Sequence, residues 1–267
     1  MDDSRLDSGS TPGSAADSNH EAGTPRVAVV GGGVAGLTAA TFLARAGFDT
    51  VVASHGESIL RRNAHLENVP GFPAGINPRL FADLLERQAE RNGCLLDDGR
   101  VGALEPSEDG FLLRFEGDRA TLVADYVIAA SWADPSYLRD LDSVGLVERG
   151  SKTYVEVDDD GRSGLDGLYA AGRIAGEAHQ TVVCAGHGAD VALTLVHDSE
   201  VPFYHDWVAP EGYFTDRGRE VPPGCEEIDG GERRRRERES MELMADAFES
   251  PHPDGPTTHP SLREEDE

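Results

Sequence analysis

The sequence predicts an α/β protein organised around a parallel sheet, and three observations carry that prediction. An apolar run at residues 27–30 opens into Gly31-Gly32-Gly33-Val34-Ala35-Gly36, and an apolar helical pattern follows through Leu37, Ala40, Leu43 and Ala44. A second short apolar strand at residues 50–53 completes a β-α-β unit. A third strand, residues 127–130, is apolar throughout, as expected where both faces of a strand are covered.

The first β-α-β carries a chemical signal. A G-x-G-x-x-G spacing alone is weak, but it gains weight between a strand and a helix. Gly31 permits the tight turn, Gly33 lets a pyrophosphate approach the backbone, and Gly36 lets helix and strand pack closely. The free N–H groups and the positive dipole end of the helix, with Val34 and Ala35 in its first turn, then face an anion. This reading makes the unit a dinucleotide site; the alternative is a Gly-rich turn in an ordinary α/β domain.

Residues 54–77 read as a loop. Asn77 and Pro78 then start a helix running to about residue 92, with Leu80, Phe81, Leu84, Leu85 and Ala89 on one face. Short strands are expected at residues 101–104, 111–115 and 120–123, separated by the turn signals Glu108-Asp109-Gly110 and Glu116-Gly117-Asp118. Residues 152–157 alternate as a strand should, and residues 168–171 form a short apolar strand ending at Gly172. A helix over residues 181–196 is apolar almost all round, which predicts burial. From His197 to about Asp229 the pattern breaks into Pro- and aromatic-rich sequence, and residues 232–248 read as a final helix with Met241, Met244 and Phe248 on one side. Residues 1–25 and 251–267 have the composition of disordered tails.

Composition narrows the function classes. The chain has 267 residues, 38% of them hydrophobic, and no apolar run of transmembrane length. Its acidic, polar N-terminus is unlike a signal peptide. Cys94, Cys184 and Cys225 lie far apart, form no CxxC and suit a reduced cytoplasm. The formal net charge is −26, and Lys152 is the only lysine. Such an acidic surface suits high salt, where self-repulsion is screened, and argues against nucleic acid and anionic membranes as partners. The run Arg233-Arg234-Arg235-Arg236 is flanked by Glu232, Glu237 and Glu239 and reads as a solvated helix face with internal ion pairs. The histidines show no metal-ligand spacing, so no metal is expected.

Four motifs in order carry a family resemblance: residues 31–40, Glu67-Asn68-Val69-Pro70-Gly71-Phe72-Pro73, Gly167-Leu168-Tyr169-Ala170-Ala171-Gly172, and Gln180 with its following helix. Over about residues 26–197 the chain resembles the FAD domain of the thioredoxin-reductase-like, FAD-dependent pyridine nucleotide-disulfide oxidoreductases. The resemblance implies a three-layer Rossmann-like domain, with a central parallel sheet, helices on one side and a β-meander on the other. Residues 198–250 would then be an aromatic-rich extension with an amphipathic helix. It implies FAD as cofactor, with the pyrophosphate at Gly31, Gly33, Val34, Ala35 and Gly36. Asn68 matches a position that approaches the flavin. His179-Gln180-Thr181 matches the segment at the pyrimidine side of the ring, where the helix dipole would stabilise reduced flavin.

The chain departs from that family at four points. Strand two ends at Ser54, where the family has the acidic ribose ligand. The family's Gly-Asp pair is Gly172-Arg173, a donor in place of an acceptor, so Arg173 suits a phosphate, a carboxylate substrate or plain surface. There is no CxxC. Cys184 reads as a small core residue, or alternatively as a thiol activated by a helix N-terminus. Only residues 131–166 lie where the family inserts an NAD(P)H domain, too few for a βαβαβ unit.

The expectation is an FAD-binding oxidoreductase passing electrons to or from a separate donor protein or a diffusible reductant. The rival is a non-catalytic nucleotide-binding or interaction protein descended from a flavoenzyme. A single-Rossmann NAD protein is a third reading. No general acid or base stands out; His65 and His179 are candidates. The aromatic segment 201–214 wraps its own domain, covers the flavin or forms a homodimer contact.

Overall fold

A computed structural model describes residues 23–258, so residues 1–22 and 259–267 of the expected tails lie outside the described residues. Strands β1 (Arg26–Val30), β2 (Asp49–Ser54), β3 (Leu95–Asp98), β7 (Tyr126–Ala129) and β10 (Leu168–Ala170) form one parallel sheet in the order β10-β7-β1-β2-β3. Strands β4 (Val101–Ser107), β5 (Gly110–Phe115) and β6 (Leu122–Ala124) form an antiparallel meander.

The period-two alternation of β1 sorts the layers. Val27 and Val29 pack with helix α1 (Val34–Ala46) and helix α3 (Thr181–Asp198), whereas Ala28 and Val30 pack with Leu104, Leu113 and Leu122 of the meander. Helix α2 (Pro78–Arg91) adds Ala89 to the helical side. The expected three layers are present. Asn77 caps α2 through its side-chain oxygen, which accepts from the Arg79 and Leu80 amides, with Pro78 at the first helical position.

Several elements differ from expectation. β3 was not signalled: Leu95-Leu96-Asp97-Asp98 has no strand-like alternation, and its state is set by pairing with β2 at the sheet edge. The predicted strand at residues 152–157 is β9 (Lys152–Val155), paired antiparallel with an unanticipated β8 (Leu146–Arg149). The aromatic segment contains β11 (Trp207–Pro210), paired in parallel with β12 (Cys225–Ile228). It wraps its own domain. Asp206 receives two hydrogen bonds of 2.6 Å from Arg45 of α1, and the Glu227 carboxylate accepts from the Gly212, Phe214 and Thr215 amides.

Helix α3 is not buried all round. Val182 and Val183 in its first turn are each 40% exposed, while Val191, Ala192 and Leu195 are in the core. Helix α4 (Gly230–Ala247) carries the expected ion pairs, Arg233–Glu237, Arg235–Glu232 and Arg236–Glu232. Its apolar stripe divides: Met244 faces α2 across a groove, whereas Met241 is 72% exposed. Residues 251–258, expected to be part of a disordered tail, instead carry contacts. His252 is bonded to Asp83, and the Thr257 amide donates to the Arg61 carbonyl at 3.1 Å.

Candidate functional site

The first α1 hydrogen bond runs from the Leu37 amide to the Gly33 carbonyl at 2.9 Å, which leaves the amides of residues 34–36 directed out of the helix end. No side chain caps them and no acidic residue occupies the first turn. Gly31 holds φ +122°, and a Cβ there would lie 2.5 Å from the Ala130 carbonyl oxygen. A Cβ on Gly36 would overlap the Gly31 carbonyl, so this pair of glycines is required by backbone packing. Gly33 is different. A Cβ there would meet only the Ser58 hydroxyl, at 3.8 Å, so its open side faces a cleft.

That cleft, about 740 Å³, runs from Gly31, Gly33, Val34 and Ala35 to His179, Gln180 and Thr181. Ser54, Asn68 and Arg173 also line it. Gly36 and Gly172 do not; they stand behind it. A Cβ on Gly172 would lie 2.6 Å from the Ala35 Cβ, and one on Gly188 would lie 2.9 Å from the Ala35 carbonyl carbon. α1 and α3 therefore meet backbone to backbone, at Ala35 and Gly188, beside the glycine turn. Thr181 lies seven positions before Gly188, so the α3 N-terminus stands about 10 Å from that contact.

At that far end Gln180 has extended backbone and no side-chain cap over α3. Its side-chain oxygen instead accepts from the Asn68 amide group at 2.8 Å, which joins two of the sequence-predicted residues across 112 positions. His179 meets the Trp132 ring edge-on, with centroids 4.2 Å apart. Burial, and secondarily the Arg173 charge, hold His179 below its ordinary pKa. His65 also lines the cleft, with Nδ1 2.8 Å from the Glu67 carboxylate. The Gly172 amide donates to His187 Nδ1 at 2.9 Å, which gives that α3 histidine a structural partner.

Arg173 is held in place. It donates to the Tyr154 hydroxyl at 2.6 Å and to the Glu177 carbonyl at 2.9 Å, and stands 4.9 Å over the Tyr154 ring. Cys184 is not an activated thiol: burial raises its pKa despite the helix end, so the core reading holds. Burial also pushes Cys94 up to about 12. Among the described residues no group of three or more His, Cys, Asp and Glu is arranged to hold a metal ion.

Sequence reasoning missed three residues here. Trp132 lines the cleft with φ 61°, a left-handed conformation that is costly for a bulky side chain. Its loop is held by Ser131, whose hydroxyl donates to the Asp134 carbonyl at 2.8 Å. Ser58 lines the turn end. Glu57 also lines that end, three positions beyond β2, and accepts from the Thr257 hydroxyl at 2.8 Å. It is an acid near the place where Ser54 offered none.

The glycine cradle, the uncapped α1 amides and the length of the cleft fit an extended dinucleotide. Residues 26–65 match the FAD binding domain family. The chain is 28% identical over 197 residues to a dihydrolipoyl dehydrogenase from Haloferax volcanii, and 33% identical over 118 residues to a thioredoxin reductase from Pneumocystis jirovecii. These stretches cover 72% and 40% of this chain but only 38% and 36% of the relatives. The fold matches Lactococcus lactis thioredoxin reductase at 14% identity with a TM-score of 0.58, over 66% of this chain and 100% of that one. It also matches an atypical thioredoxin reductase from Desulfovibrio vulgaris Hildenborough at 20% identity and a TM-score of 0.54, over 67% and 100%.

Proposed function

We propose that this chain, whose residues 26–65 match the FAD binding domain family, is an FAD-binding oxidoreductase of the thioredoxin-reductase-like, FAD-dependent pyridine nucleotide-disulfide oxidoreductases. It exchanges electrons with a diffusible reductant or a separate protein, without an inserted NAD(P)H domain and without a redox CxxC. The single observation behind this reading is the continuous cleft between the glycine turn and the Asn68–Gln180 pair.

When bound, FAD supplies reversible two-electron chemistry. The chain's own residues bind and orient it. The α1 amides of residues 34–36 and the open face of Gly33 receive the pyrophosphate. Glu57, in place of the missing acid at Ser54, is positioned to accept from the adenosine ribose. The first-turn amides of α3 at Thr181 would stabilise negative charge on the ring of a bound flavin. Asn68, which holds the Gln180 side chain, would orient it toward the flavin, and the half-buried Trp132 would shield that end of the cleft from water.

The three free cysteines and the acidic surface support a reduced cytoplasm and an adaptation to high salt. Among the described residues no helix is long and apolar enough to cross a membrane.

Visible spectroscopy of the purified protein in molar salt tests the proposal. A yellow protein whose flavin bands bleach with dithionite, and which releases FAD on denaturation, is the expected result. A colourless protein that takes up no FAD overturns it and leaves the non-catalytic descendant of a flavoenzyme as the reading.

A further inference from the structure

Two arginines line the cleft, and one of them has no carboxylate partner among the described residues. Glu57 accepts from Thr257, Glu67 faces His65, and Arg100 is paired with Asp134 at 3.0 Å. Arg173 has no carboxylate within salt-bridge distance among the described residues, in a chain with 50 acidic and 24 basic residues. Its guanidinium is nonetheless immobilised by Tyr154 and the Glu177 carbonyl. Two of its five N–H groups are used there, and the rest have no protein acceptor among the described residues. A fixed fork with free donors is the arrangement that receives a planar carboxylate.

The surroundings reinforce the positive potential. Arg149 stands 5.8 Å from the same Tyr154 ring. The first α3 hydrogen bond is from the Cys184 amide to the Gln180 carbonyl, so the preceding amides of that helix end are open. Trp132 and His179, packed edge to face, line the same end of the cleft.

We propose that Arg173 is the anion-binding residue of a substrate subsite at the α3 end of the cleft, and that the subsite takes a small organic carboxylate. The inference rests on the flavin reading of the cleft. The carboxylate is held by the free edge of the guanidinium, and the organic body lies against Trp132 and His179. A position that accepts from the cofactor in the family thereby becomes a donor to the cofactor's reaction partner.

The test is a titration of the FAD-loaded protein with benzoate, with benzamide as the uncharged control, at constant ionic strength. Benzoate is expected to give a saturable shift of the flavin bands and benzamide none. Arg173→Gln should weaken benzoate at least tenfold with FAD content unchanged, and Arg173→Lys should weaken it less, keeping the charge but losing the fork. The idea fails if benzoate gives no saturable shift, if benzamide matches it, or if Arg173→Gln binds benzoate as the parent does. Loss of FAD from Arg173→Gln, in a protein with an unchanged melting temperature, also overturns it, because the guanidinium then serves the cofactor's phosphates. If the parent takes up no FAD, the proposed function falls. Benzoate titrated against Trp132 emission, assigned with Trp132→Phe, then decides the subsite alone: quenching that Arg173→Gln abolishes supports it, and its absence rejects it.

Discussion

Replacing Gly188 by Ala should destabilise the protein and loosen its cofactor together. The new Cβ would lie 2.9 Å from the Ala35 carbonyl carbon and 3.0 Å from its Cα, with the carbonyl oxygen nearer still. Ordinary contact begins at 3.4 Å, so α3 and α1 must separate by about 1 Å at this point. Ala35 cannot retreat toward Gly172, where its Cβ already leaves no room for a methyl group. Overpacking of this kind costs about 1–3 kcal/mol, against about 1 kcal/mol gained from replacing a mid-helix glycine. The expected net loss is up to about 2 kcal/mol, or up to about 8 °C in melting temperature. The same displacement would move the α1 first turn away from the proposed pyrophosphate site, and weakening one charge-assisted hydrogen bond there should reduce affinity by about tenfold or more. Gly186→Ala is the control. It sits in the same helix with nothing within 4 Å of a Cβ, so it should stabilise by about 0.5–1 kcal/mol and leave FAD affinity alone. Scanning calorimetry and a fluorescence titration with FAD read both effects. If Gly188→Ala matches Gly186→Ala in both, α1 and α3 do not meet as described.

Asn68→Ala and Gln180→Leu should each weaken FAD several-fold with little change in melting temperature, because the pair is exposed. Their double-mutant cycle should show a coupling of about 0.5–1.5 kcal/mol, and strictly additive losses would show that the residues act independently. Thiol titration with Ellman's reagent at pH 8 should modify Cys225 readily and Cys94 only after unfolding, because burial pushes Cys94 up to about 12; rapid labelling of all three would contradict the packing. Partial desolvation, then Arg173, lower the His179 pKa, so folding favours its neutral form. Its contribution to stability is complete above its unfolded value and is lost as pH falls from there through the folded value. Arg173→Gln should raise the His179 pKa by NMR while leaving it below the ordinary value, and no movement would place the guanidinium out of reach. Raising KCl from 0.1 to 2 M should raise the melting temperature by screening a net charge of −26, whereas a flat response would remove the case for salt adaptation.

The first β-α-β was legible because three local signals agree there: an apolar run, a glycine turn and a helical period. α2 was legible for the same reason, through Asn77, Pro78 and one apolar face. β3 was not, because two leucines followed by two aspartates become a strand only through the edge of β2. The segment 198–229 was illegible as strands because its order comes from distant groups, Arg45 on Asp206 and Glu227 on the 212–215 amides. α3 was overread: its hydropathy counts Val182 and Val183 as core, but they stand at the open helix end. The turn glycines Gly31 and Gly36 were legible because backbone constraints dictate them. Trp132 was not, since nothing in a tryptophan announces φ 61°.

The departures from the family pattern look like losses when each is taken alone, and the structure links them to replacements. An abandoned ligand position has no reason to keep its side chain fixed. Arg173 is fixed by two residues, through the hydroxyl and ring face of Tyr154 and the carbonyl of Glu177. Ser54 lacks a carboxylate, yet Glu57 lines the same end of the cleft and is itself held by Thr257. Trp132 occupies a conformation that costs about 1–3 kcal/mol and persists only under the restraint of its loop and of His179. A decaying site sheds such costs first, because relaxing the strained residue improves stability at no functional expense. Retained strain and retained anchoring at the same cleft therefore favour a changed reaction partner over a lost reaction.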